Sequence, residues 1–359
     1  MESAALRDII LRVAEKNPLT IAQYMELALQ HPEYGYYRHS DPLGADGDFV
    51  TAPEISQMFG ETIALWCLKT WRQMGEPPEF ILCELGPGRG TMMADIMRLS
   101  VQAEGFRKAC RVILVESNAS LRERQDKALV EHHPRWVDHL SALPELPAII
   151  LANEFFDALP VRQFIHHETG WSEIRVGVQD GALAWVMGRP APSAAMLLSE
   201  TQRKLPVGAI AEISPQAQDV MRQAAAHIAE HSGAVLAIDY GYETPGGNPT
   251  FQALEKHRAA DPLGDPGHAD LTAHVDFSAL AAIAAQAGLR PWPLLEQGEF
   301  LRRLGLAQRR EQLGEQATPE QKQDIAAAYH RLTAPEAMGT LFKVFCAVSD
   351  AKITPAGWE

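Results

Sequence analysis

Clusters of basic residues are missing from these 359 residues: 32 Lys and Arg stand against 46 Asp and Glu, a formal charge of −14 with an isoelectric point near 5.4. Phosphate backbones are bound mainly by grouped lysines and arginines, so no nucleic-acid surface is expected, and a basic partner is more natural. Cysteine is sparse as well. Cys67, Cys83, Cys110 and Cys346 form no CxxC or metal-ligand spacing, and three of them lie in apolar runs, which reads as buried, reduced thiols. No apolar run approaches the roughly 20 residues that cross a bilayer. The first stretch carries Glu2, Asp8 and Glu15, which fits neither a signal peptide nor an Arg-rich transit peptide. A soluble protein of a reducing compartment, most simply the bacterial cytoplasm, is therefore expected. A GxSxG elbow is absent, leaving a hydrolase without its nucleophile turn. Internal repeats and low-complexity tracts are absent too.

What is present centres on Phe80 to Met93, FILCELGPGRGTMM. Phe80–Cys83 is an apolar run of the kind that forms a parallel strand covered on both faces, and Glu84 closes it. Gly86, Gly88 and Gly90 permit positive φ and close backbone approach to a ligand, and Thr91 is placed to cap a helix with Met92, Met93, Ile96 and Met97 on one face. The dinucleotide fingerprint needs a third glycine where this chain has Thr91, so the match is GxGxG. The carboxylate of Glu84 would sit badly beside a pyrophosphate but suits an ammonium or sulfonium charge. S-adenosylmethionine carries both. Glu116, ending the next apolar run Val112–Val115, is placed to take ribose hydroxyls, and Asn153 closes the strand Ala148–Ala152 on the same edge. The expected cofactor residues are thus Glu84, Gly86, Gly88, Gly90, Glu116 and Asn153. A nicotinamide or flavin site, or a tight turn that binds nothing, remains an alternative at this point.

Strand-like runs alternating with helical stretches predict a Rossmann-like α/β sheet: Phe80–Cys83, Val112–Val115, Trp136–His139, Ala148–Ala152, Ala234–Asp239 and Leu341–Ser349, with a further strand from Leu289. Residues 1–75 read as N-terminal helices and a lid. In it, Ala5, Leu6, Ile9, Ile10 and Val13 form one apolar face, and Thr51 with Glu54 forms a capping box before a helix through Trp71. These helices are expected to pack on the main domain. The methyltransferase core is assigned to 76–160 and 230–350, an inserted β meander to 161–190 with a hairpin at Gln179-Asp180-Gly181, and a helical insert to 300–335. Asp261–Phe277 reads as the end of a long loop. Its His268, Asp270 and His274 are explained without a metal.

Methyl transfer from a sulfonium is an in-line displacement, so the protein aligns a nucleophile and places charge. After the fourth strand, Asn153-Glu154-Phe155-Phe156-Asp157 puts two acids around two aromatics. That suits a cation, and a planar guanidinium matches carboxylates bidentately. Glu154 and Asp157 are the candidates for positioning it and accepting its proton, with Asp239 a lesser one; the alternative is that these acids cap a turn or hold the cofactor.

Four blocks, GDFVTAPEISQMFGE (Gly47–Glu61), ELGPGRGTMMADIMR (Glu84–Arg98), ANEFFDALPVRQF (Ala152–Phe164) and DPLGDPGHADLTAHVDF (Asp261–Phe277), together resemble the MidA family. That family includes the mitochondrial complex I assembly methyltransferase. The resemblance implies a class I methyltransferase fold with an extra lobe, S-adenosylmethionine as donor and S-adenosylhomocysteine as product, and, for the mitochondrial members, symmetric dimethylation of an arginine in a quinone-side NADH dehydrogenase subunit; for this chain it implies a protein arginine methyltransferase acting on such a subunit. A small-molecule methyltransferase and a non-catalytic assembly scaffold are the other hypotheses. The oligomeric state is open, a homodimer included.

Overall fold

The computed structural model describes residues 2–39, 51–255 and 258–359. Two compact units emerge, one of Met1–Phe49, Asp157–Asp219 and Tyr242–Ala279, the other of Val50–Phe156, Val220–Gly241 and Leu280–Glu359. Residues 40–50 of the expected lid, including Gly47–Val50 of the first motif block, lie outside the described residues.

The second unit is an α/β sheet built on six main strands: β1 (Phe80–Leu85), β2 (Cys110–Val115), β3 (Arg135–Val137), β4 (Ala148–Asn153), β5 (Gly233–Tyr242) and β6 (Phe342–Val348). Their order is β3-β2-β1-β4-β5-β6, and the short strands Arg290–Pro291 and Leu295–Glu296 both pair with β6. The first five run parallel; β6 is antiparallel to β5. All six residues of β1 are buried, as a parallel strand covered on both faces requires. Leu82, Leu151 and Leu236 join one core with Phe59, Ile63 and Trp66 of the helix Gln57–Gln73 and with Met93 and Ile96 of Thr91–Ser100. The expected sixth strand is therefore two two-residue pieces, separated by Trp292-Pro293-Leu294.

Glu61, 2 % exposed, receives Arg98 Nη1 at 2.8 Å and Arg309 Nε at 2.6 Å. Burial works to raise its pKa, but the two guanidinium groups bring it below the ordinary carboxylate range. Through Glu61 the helix Leu306–Glu315 of the insert is fastened to the core. The neighbouring helix Pro319–Thr333 starts at a capping box of Thr318 and Gln321.

The first unit contains the meander Arg162–His167, Gly170–Gln179 and Ala182–Met187. Its second turn has Asp180 and Gly181 both at positive φ, the conformation Asp-Gly favours in a two-residue hairpin. Leu19–Thr20 and Ile210–Ile213 enlarge this to five strands. The helices Glu2–Lys16 and Ile21–Gln30 belong to this unit rather than to the core unit: Leu6, Ile10, Tyr24 and Met25 share a cluster with Val176 and Leu183. The buried face of the first helix is Leu6, Ile10 and Ala14, and Val13 is exposed, a rotation from the expected stripe. Tyr36 is buried in the same cluster with Tyr34 and Tyr37 against it. The stretch before Phe277 is not all loop, since Gln252–Glu255, Arg258–Ala260 and Asp270–Thr272 form a three-stranded sheet.

Candidate active site

Strands β1, β2 and β4 end together, and the loops leaving them carry the predicted residues of the core unit. Gly86, Gly88 and Gly90 take φ of 58, 55 and 84°. At Gly86 the requirement is double, because a Cβ there would also lie 2.8 Å from Cδ2 of Phe155, in the loop after β4. The first and fourth loops thus touch at a point where only hydrogen fits. Gly90, not Thr91, is the N-cap of the helix Thr91–Ser100. The Thr91 hydroxyl instead donates to Glu54, which Arg89 also approaches at 3.8 Å. Glu54 is therefore no partner in a capping box with Thr51, whose side chain makes no cap bond, and the helix expected through Trp71 is broken at Ser56.

Glu84 is 3 % exposed, and its Oε2 has no hydrogen-bond partner among the described residues. Burial alone pushes its pKa up to about 8. A carboxyl so placed is mostly neutral at pH 7 and is drawn toward ionisation by a positive charge beside it. Glu116 follows β2. Burial raises its pKa as well, against hydrogen bonds from the Asn118 N–H at 2.7 Å and from Gln125 Nε2 at 3.3 Å. Asn153 ends β4, donates from Nδ2 to Glu154 Oε1 at 3.2 Å, and has a buried Oδ1 without a partner among the described residues.

The predicted catalytic acids divide. Glu154 has φ of 50°, and its Oε1 accepts the Ala52 N–H at 2.7 Å, holding the start of the helix Ala52–Ile55. Asp239, fully buried on β5, accepts the N–H groups of Phe155 at 3.1 Å, Phe156 at 2.9 Å and Tyr240 at 2.9 Å. Its carboxylate is committed to shaping the loop after β4. Asp157 opens the second stretch of the meander's unit, where it is buried and its carbonyl accepts the Ala273 N–H at 3.0 Å. In that unit Tyr37 donates to Asp270 at 3.1 Å. Burial, then the charges of Asp270 and Asp157, hold the Tyr37 phenol far above its usual range.

Sequence reasoning missed Glu54, whose role depends on a bond to residue 91, and Gln125, the one buried residue of the polar helix Ala119–Ala128. A glutamine in ASLRERQDKA carries no pattern that marks it as buried.

A model of S-adenosyl-L-methionine-dependent methyltransferases matches residues 62–293. The mitochondrial protein arginine methyltransferase NDUFAF7 of Mus musculus is 36 % identical over 370 residues, covering 95 % of this chain and 83 % of that one. The Danio rerio protein of the same name is 32 % identical, with 98 % and 89 % covered. Among solved structures, a Burkholderia thailandensis protein bound to S-adenosyl-homocysteine superposes with a TM-score of 0.81 at 27 % identity, covering 99 % of this chain and 94 % of that one.

The residues present fit such a cofactor. A buried carboxylate oxygen lacking a partner among the described residues suits an ammonium, a buried amide oxygen in the same state suits a further donor, and Gly86, with no room for a Cβ, suits close backbone approach. The core unit is accordingly a class I methyltransferase sheet, and the chain belongs to the family of S-adenosyl-L-methionine-dependent methyltransferases.

Proposed function

We propose that this enzyme methylates arginine in a basic protein, a subunit of the respiratory NADH dehydrogenase, and thereby aids its assembly. The reading is carried by near-full-length similarity to proteins named protein arginine methyltransferase. The acid-aromatic-aromatic-acid loop after β4 and the charge of −14 favour the same cationic acceptor. Those relatives are named mitochondrial; for this chain we propose bacterial cytoplasm, a reducing setting that suits four buried free cysteines.

When bound, S-adenosylmethionine supplies an electrophilic methyl on its sulfonium. We assign its ammonium to Glu84 and Asn153, its ribose hydroxyls to Glu116, and its close backbone contacts to Gly86, Gly88 and Gly90. Glu154, in the core unit, is assigned to orient the acceptor guanidinium and localise its positive charge away from the attacking nitrogen, with Asp157 the second candidate for that role. Arginine, with a pKa above about 12, enters protonated, and the proton leaves to one of these acids during or after transfer. Asp239, with three backbone donors on its carboxylate, holds the loop and does not accept the proton.

The double variant Glu154→Gln, Asp157→Asn is expected to lose at least about a hundredfold in methyl transfer to protein, a typical general acid-base contribution. Affinity for S-adenosylhomocysteine should stay within about threefold of wild type. Transfer is measured with radiolabelled S-adenosylmethionine and binding by calorimetry. Undiminished transfer would remove both acids from the chemistry, leaving the loop a purely structural cap.

A further inference from the structure

Gln125 spends every hydrogen-bonding group of its side chain at the carboxyl ends of three strands. Fully buried, it donates from Nε2 to the Gly88 carbonyl at 2.7 Å and to Glu116 Oε2 at 3.3 Å, while its Oε1 accepts from Trp136 Nε1, on β3, at 2.7 Å. Arg122, one turn earlier on the same helix, donates from Nε to the Glu116 carbonyl at 2.7 Å and pairs with Asp138 beyond β3 at 2.6 Å. The Asn118 N–H binds the other oxygen of Glu116. Both oxygens of that carboxylate are therefore fixed from the protein side, which sets the direction of the lone pairs left over. A carboxylate held this way presents two acceptors to a vicinal diol without first paying to order its own rotamers.

We propose that Gln125 is a positioning residue for cofactor recognition: it locks the Glu116 carboxylate toward the ribose hydroxyls and fixes the middle of the glycine turn at Gly88, so that the two move as one piece. The inference rests on the assignment of Glu116 to the ribose. It explains why an otherwise polar helix buries a single residue and why that residue is an amide. A carboxylate could not donate to Gly88 or Glu116, and an aliphatic side chain would strand the Gly88 carbonyl and the Trp136 indole N–H.

The test is a double-variant cycle read by calorimetric titration of S-adenosylhomocysteine, with thermal melting as the check on folding. Gln125→Met keeps the volume and should weaken binding about tenfold, the low end of what losing one charge-assisted bond costs. In a Glu116→Gln background the same change should cost only about threefold, the share carried by Gly88, because the carboxylate through which the rest acts has already been altered. A merely structural glutamine would cost the same factor in both backgrounds, and that result would overturn the proposal, as would Gln125→Met binding as wild type does. If Gln125→Met does not fold, Trp136→Phe removes one anchor alone; a loss of about threefold is expected, and none would count against the lock. Should Glu116→Gln by itself leave affinity intact, the ribose assignment fails, and it fails separately from the behaviour of Gln125.

Discussion

Replacing Gly86 by valine is expected to weaken S-adenosylhomocysteine binding by more than about a hundredfold while leaving a folded protein. Gly86 sits at φ of 58°, where an L-residue costs about 1–2 kcal/mol and a β-branched one more. A Cβ would also stand 2.8 Å from the Phe155 ring. Relief requires either the turn, which belongs to the proposed cofactor site, or the ring packed against it to move. Phe155 is hardly free to retreat, because its N–H is held by the buried Asp239. The stability lost should be a few kcal/mol at most, since the change lies at the rim of a core with one large sheet beneath it. Calorimetry and a melting curve on the same preparation separate the two effects. Unchanged affinity would mean that the cofactor does not approach this turn.

The second large effect concerns charge. Glu84 has a carboxyl whose pKa burial raises to about 8 from an ordinary 4.5. It is therefore neutral in the free protein at pH 7, and an incoming ammonium must draw it into ionisation. Binding should release up to one proton per site below pH 8, and affinity should climb by up to about tenfold per pH unit between roughly pH 5 and 8. The rise ends when Glu84 is ionised in the free protein or the ligand's own ammonium loses its proton. Glu84→Gln keeps the shape and removes the charge, so it should flatten this profile and weaken binding about a hundredfold at pH 8, less at pH 6. Stability moves the opposite way. The raised pKa favours the folded state fully below about 4.5, and this contribution is lost progressively as the pH rises through 8, so the glutamine variant should melt higher than wild type in mildly alkaline buffer without ligand. Proton release is read by calorimetry in two buffers of different ionisation enthalpy. A wild-type protein that releases none would place the ammonium elsewhere.

The glycine turn and the sheet were legible because their signals are local. A fully apolar strand, three glycines that must take positive φ and a helix with methionines on one face can be recognised without knowing what lies nearby. The meander was legible for the same reason, through Asp180 and Gly181. What misled was chemistry that looked local and is not. Thr51 and Glu54 have the spacing of a capping box, but Glu54 finds Thr91 and Arg89, so the long-range partner won. Thr91 yielded the cap position to Gly90, whose positive φ already terminates the turn. On the first helix Ala14 is buried and Val13 is not, because the helix packs within the meander's unit along a stripe that side-chain size alone does not disclose. The stretch before Phe277 is rich in Gly, Pro and Asp, yet part of it pairs into strands of three or four residues, too short to show an alternating pattern. At the site, the acids were readable as residues but not by their occupation. Asp239 looked like a third catalytic candidate, and three backbone N–H groups on its carboxylate make it the support for the loop that carries Glu154.

Methyl transfer from radiolabelled S-adenosylmethionine to a lysate of cells lacking this protein, with the labelled residue identified by mass spectrometry, tests the central claim most directly. Label on an arginine of a single NADH dehydrogenase subunit is the predicted result. A protein that binds S-adenosylhomocysteine yet labels no protein in that lysate would contradict the claim and leave a small-molecule acceptor in its place.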